Sequence, residues 1–84
     1  MPRVMTMDWR RIEPEKEAEA EQEWRARKAQ LAKDGCQHWV FRSPSDIATY
    51  MEFVEAADAD ALMKARERAG MEPNEEILTE LELS

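Results

Sequence analysis

Eighty-four residues with one cysteine make a single domain that no internal disulfide can staple, and no spacing of zinc ligands is present. Nineteen acidic residues against twelve basic ones leave a net charge of −7, which weighs against nucleic acid and anionic membranes as partners. A chain this short buries only about 60–65% of its unfolded surface, so its own core is marginal and a partner subunit is expected to help.

The predicted elements follow in order. Val4–Ile12 alternates, with Met5, Met7 and Trp9 on one side and Thr6, Asp8 and Arg10 on the other, as a strand requires. Pro14 then opens a helix that reaches about Lys33, because proline at the first helical position loses only a donor that has no partner there. Glutamates from Glu15 to Glu23 fill its first half and Arg25, Arg27, Lys28 and Lys33 its second, which complements the helix dipole. Glu21–Arg25 and Glu23–Arg27 are also spaced i, i+4 in the better orientation. Its apolar stripe is narrow: Ala20, Trp24 and Leu31, with Ala32 beside them. Gly35 supplies the left-handed stop.

Two further strands are predicted at Gln37–Ser43 and Thr49–Ala56, joined by the turn cluster Ser43-Pro44-Ser45-Asp46. In them Trp39, Phe41, Met51 and Phe53 oppose His38, Val40, Arg42, Tyr50, Glu52 and Val54. Asp58 caps a short helix over Ala59–Ala69 that Gly70 ends and Pro73 cannot continue. Glu76–Leu83 is the last predicted strand, with Ile77, Thr79, Leu81 and Leu83 on its inner side.

The order βαββαβ, with right-handed crossovers, predicts an α+β ferredoxin-like domain over residues 1–84. It has a four-stranded antiparallel sheet in spatial order 4-1-3-2 and two helices on one face. The methionine and aromatic face is expected beneath the helices. The other face, with Val40, Val54 and Leu78 among polar groups, is expected to stay open as an association surface.

Reactive residues are few. His38 is the only histidine, so one chain builds neither a two-histidine metal site nor a Ser-His-Asp set; a half-exposed sheet position is the plain expectation for it. If the chain catalyses, His38 is the proton-transfer group, Arg42 holds a developing anion and Tyr50 orients a substrate oxygen. Trp9, Trp24 and Trp39 are core aromatics or, alternatively, the walls of a flat-ligand pocket. Cys36 reads as a small buried hydrophobe, and Glu52 and Glu55 alternate faces and form no dyad. Neither glycine belongs to a phosphate loop, and no basic–aromatic strand motif for RNA is present. No metal or cofactor is expected. Met1–Asp8 lacks the apolar core of a signal peptide and no run approaches the roughly 20 residues of a membrane span, so a cytoplasmic protein without membrane insertion is expected.

The stretches Gly35-Cys36-Gln37-His38-Trp39-Val40-Phe41-Arg42-Ser43 and Tyr50-Met51-Glu52-Phe53-Val54-Glu55-Ala56 resemble the dimeric α+β-barrel superfamily, which includes the antibiotic-biosynthesis-monooxygenase-like domains. The resemblance implies a homodimer with ligand space between sheet and helices, and some members are cofactor-free oxygenases or haem-degrading enzymes. This chain departs from the haem-degrading pattern, with Asp8 where asparagine is expected and no histidine in Asp58–Gly70. Two functions follow as expectations. The first is a small acidic non-catalytic dimeric module or accessory subunit of a larger assembly. The alternative is a cofactor-free monooxygenase-like enzyme acting on an aromatic or polyketide-like small molecule.

Overall fold

The computed structural model describes residues 2–83. Strand β1 (Val4–Arg11) leads through a 3-10 turn (Pro14–Lys16) into helix α1 (Glu17–Lys33). Strands β2 (Gln37–Arg42) and β3 (Thr49–Ala56), helix α2 (Ala59–Arg68) and strand β4 (Leu78–Thr79) follow. The sheet order is β2-β3-β1-β4 and every pairing is antiparallel. This is the ferredoxin-like βαββαβ arrangement that the order of patterns predicts.

Local chemistry accounts for the element ends. Pro14 starts a turn of 3-10 helix before the α-helix takes over at Glu17. The Asp58 side chain accepts from the Ala61 N–H at 2.8 Å and caps α2. Past both helices the chain reverses at Gly35 and Gly70, whose φ angles of 75° and 73° suit glycine.

Two expectations are corrected. The last strand is predicted over Glu76–Leu83, but only Leu78–Thr79 pairs. β4 runs antiparallel to β1 from Leu78 opposite Met5 to Thr79 opposite Val4. Beyond that point the Glu80 N–H donates to the Arg3 carbonyl and the Glu80 side chain accepts from the Arg3 N–H, outside the ladder. Leu81 and Leu83 therefore lie past the edge of the sheet, 76% and 88% exposed, rather than on an inner face. At the other end Asn74 donates from its side chain to the Met7 carbonyl, which takes the place of ladder pairing.

The second correction concerns the faces. The helices cover the mixed face: Val4, Thr6, His38, Tyr50, Glu52, Val54 and Ala56 are buried beneath them. Met5, Met7, Trp9, Trp39, Phe41, Met51, Phe53 and Leu78 share the uncovered face, as cross-strand partners or in alternation with the buried set. The reason lies in the helices. Inward from α1 come Ala20, Trp24 and Leu31 with Arg27 between them, and from α2 Leu62 and Ala65 with Arg66. These surfaces match a sheet face that carries both carboxylates and aliphatics, and leave the larger apolar groups for the other side.

The core is accordingly split. One apolar cluster gathers Val4, Leu31, Cys36, Val54, Ala56, Leu62 and Ala65; the other holds Ile12, Ala20, Trp24 and Tyr50. Along β3 the order Tyr50, Glu52, Val54 steps from one cluster to the other across a buried carboxylate. A band of charge crosses the middle of the sheet.

Candidate functional site

The ionic band is built from both helices and three strands. Arg27 of α1 lies over β3, where its Nη1 donates to both Glu52 oxygens at 2.7 Å and its Nη2 to Glu23 at 3.0 Å. His38 Nε2 lies 2.6 Å from the second Glu52 oxygen, and both side chains of this pair are almost fully buried. Burial works to raise the Glu52 carboxyl, but hydrogen bonds from His38 and Arg27 outweigh it and hold the group below its ordinary range. Across the band Arg66 of α2 is 2% exposed and donates to Thr6 Oγ1 and to Asp8 at 2.8 and 2.7 Å. It also reaches the Glu72 carbonyl at 2.6 Å. Arg10 completes the set with a two-pronged contact to Glu23.

Between the helices and above this band lies a cleft of about 430 Å³, lined by Asp8, Arg10, Glu23, Arg27, Glu52, Arg66 and Glu72 among others. Three guanidinium groups there face four carboxylates, nearly all committed to one another. Arg27 and Arg66 each keep an Nε–H without a protein acceptor.

The candidate catalytic residues fall in two places. Arg42 and Tyr50 meet: Arg42 Nη2 is 3.0 Å from the Tyr50 hydroxyl, which donates to Glu17 at 2.5 Å, and Arg42 also pairs with Glu17. His38 belongs instead to the Glu52–Arg27 group and is buried rather than half exposed. Lys28 reaches across to the His38 carbonyl at the outer edge of β2. The tryptophans do not converge either. Trp24 packs at 5.1 Å on the Tyr50 ring, while Trp9 and Trp39 sit on the uncovered face of the sheet. Cys36 is buried, and burial first, then Asp34, pushes its thiol up, which keeps it unreactive. No group of three or more metal-ligating side chains occurs among the described residues.

Arg27, Arg66 and Asp8 are not among the site residues that the sequence predicts, yet a signal for the two arginines exists. Ala20, Trp24, Arg27 and Leu31 fall on one helical stripe at steps of four, three and four, and Leu62, Ala65 and Arg66 share one face of α2 at steps of three and one. A cation on each apolar stripe calls for a buried carboxylate opposite.

The uncovered face is the other candidate. In successive cross-strand rows it carries Trp39, Phe53 and Met7, then Phe41, Met51 and Trp9, with Met5 and Leu78 beside them. Trp9 is 62% exposed, and Phe41 and Leu78 are more than half exposed. Phe41 meets Phe53 edge to face at 5.6 Å, so the surface is a packed aromatic layer. Charged side chains are confined to its ends: Glu55, opposite Met5, and Arg11, opposite Thr49. Comparisons with protein-family models, curated proteins and solved structures find no match. Among the described residues no helix is long and apolar enough to cross a membrane.

Proposed function

We propose that this chain is a small, acidic, non-catalytic module that works by protein–protein contact through its open sheet face, as a homodimer or as an accessory subunit of a larger assembly. A reducing, cytoplasmic setting suits its single buried thiol. The observation that carries the reading is the uncovered face itself: eight large apolar side chains in contiguous rows with charge only at the ends. Soluble monomers rarely leave such a patch in water, and patches of this kind mark interaction surfaces. The ferredoxin-like architecture agrees with what the resemblance to dimeric α+β-barrel domains implies.

The test is the mass of the native chain in solution and that of Phe53→Glu. Light scattering at micromolar concentration is expected to give a multiple of 9.8 kDa for the native chain. The variant is expected at the monomer mass with an unchanged far-ultraviolet circular dichroism spectrum, because Phe53 points away from the helices. A native chain at 9.8 kDa that also purifies without a stoichiometric partner overturns the reading.

The second reading is the cofactor-free monooxygenase-like enzyme, and the 430 Å³ cleft is the observation in its favour. The lining weighs against it, since an aromatic or polyketide-like substrate asks for a mostly apolar pocket and this one is ionic. His38, the proton-transfer candidate, is bonded to Glu52 and is not among the cleft's lining residues.

A further inference from the structure

We infer that the outer edge of β2 is a docking site for an extended segment of a partner protein, which adds to the sheet as a further strand and sets an acidic side chain into the pocket between this edge and α1. The edge is distinct from the open face, and its occupancy does not depend on what covers that face.

β2 begins the order β2-β3-β1-β4, so one of its sides has no neighbouring strand. In an antiparallel strand alternate residues turn their backbone groups to the same side. The Ser43 N–H donates to the Thr49 carbonyl next to β3, so Phe41 and Trp39 bond towards β3 as well, and His38, Val40 and Arg42 turn their groups outward. Among the described residues only one of these outward groups has a bond, the His38 carbonyl, which accepts from the Lys28 ammonium. The His38 N–H and both groups of Val40 and Arg42 are left for a further strand. Native sheets blunt such edges with proline, bulges or very short strands. β2 uses none of these: from Gln37 to Arg42 it pairs with β3 in unbroken register.

The pocket beside the edge sets what the added strand carries. It holds about 220 Å³ and is walled by Glu21, Trp24, Arg25 and Lys28 of α1 and by His38 and Val40 of β2. Trp24 is 8% exposed, and its indole N–H has no acceptor among the described residues. Lys28 meets a carbonyl there but no carboxylate. Glu21, the carboxylate of the pocket wall, is matched by Arg25 at 4.0 Å. Residues directly opposite each other across a ladder share a face of the sheet. A residue opposite Val40 therefore lies on the helix side, over the pocket, where a carboxylate supplies the acceptor that Lys28 and Trp24 lack. Its two neighbours along the added strand fall opposite Phe41 and Trp39, on the aromatic side. An apolar–acidic–apolar sequence fits this edge, with main-chain bonds giving affinity and the pocket giving specificity.

The test uses the native chain and a fluorescein-labelled peptide, Thr-Val-Glu-Val-Thr amide, with binding read by fluorescence anisotropy. Saturable binding is expected, with the glutamate opposite Val40 in an antiparallel pairing like the others of this sheet. Replacing the peptide's glutamate by glutamine is expected to weaken binding about tenfold, the usual effect of losing a hydrogen bond to a charged group. Lys28→Gln, checked for an unchanged circular dichroism spectrum, is expected to remove that preference. An N-methyl group on the peptide's glutamate should abolish binding, since that N–H faces Val40. One on the preceding valine should be tolerated, since that N–H faces solvent. In the native chain the peptide should slow hydrogen exchange at the Val40 and Arg42 amides. Absence of saturable binding, equal binding of the two methylated peptides, or no preference for glutamate overturns the docking site. Protection of these amides that grows with protein concentration in the absence of peptide assigns the edge to a second copy and overturns the partner segment.

Discussion

The helix-covered face of this sheet is buried and mixes charge with aliphatics, whereas the opposite face is apolar and open. Beneath the helices Glu52, His38, Thr6 and Arg66 have almost no exposure, and each is bonded to a partner from another element. On the other side Trp9, Phe41 and Leu78 are more than half exposed. Taking charge out of water costs several kcal/mol per ion, and pairing with good geometry offsets that cost without a large surplus. The apolar face, in contrast, holds stabilisation that a monomer cannot realise. The difference shows where the chain's hydrophobic volume is spent. Folding uses aliphatics, Trp24, Tyr50 and matched charges, while Trp9, Trp39, Phe41, Phe53 and three methionines lie on the open face.

The comparison breaks most visibly at Glu52. Glu52→Ala leaves Arg27 and His38 facing a hole in the band and is expected to destabilise the fold by about 3–5 kcal/mol, the usual cost of stripping one partner from a buried pair. In a domain this small that lowers the melting temperature by more than about 10 °C. A loss below about 1 kcal/mol by thermal unfolding would mean that the band contributes little to holding the helices. Replacing the group together, Glu52→Leu with Arg27→Met and His38→Leu, sharpens the point. That triple change is expected to be near neutral or stabilising, because the charges leave as a set.

Acid probes the same band more gently. The native Glu52 carboxyl titrates below its ordinary 4.5, since the His38 and Arg27 bonds prevail over burial. Its stabilising contribution is therefore complete above pH 4.5 and fades as the pH falls through the lower native value. Urea midpoints of the native chain should drop on that acid side, and Glu52→Gln should show a shallower drop. Superimposable acid limbs would assign the loss to Glu23 instead, which its hydrogen bond with Arg10 also holds low.

Period and punctuation made the fold legible in the sequence. Alternation predicts strands at Gln37–Ser43, of which Gln37–Arg42 pairs, and at Thr49–Ala56, and Pro14, Gly35, Asp58 and Gly70 mark the helix ends. The side of the sheet that the helices would choose was misread, because alternation divides a strand into two faces without saying which one is covered. Hydrophobic bulk suggested the methionine and aromatic face. The deciding signal was the pair of arginines on the helix stripes, Arg27 and Arg66, whose partners Glu52 and Asp8 lie on the mixed face. Residues 80–83 carry a strand-like alternation too, but alternation alone does not supply a ladder, and only Leu78–Thr79 pairs with β1.

The smallest expected effect is the most discriminating. A tryptophan in a protein core costs about 3–5 kcal/mol when truncated, since burial is lost and a cavity remains. Trp9, at 62% exposure on the open face, has neither term to lose within one chain. Trp9→Ser is therefore expected to change the stability of the monomer, measured at low protein concentration, by no more than about 0.5 kcal/mol. Concentration then separates folding from association. Melting of the native chain should rise as the protein is concentrated, because a partner that binds only the folded state stabilises it by mass action. In Trp9→Ser that rise should shrink, although the dilute chain melts where the native one does. A loss of several kcal/mol at low concentration would show instead that the face is covered within the monomer, and the contrast between the two faces would fail.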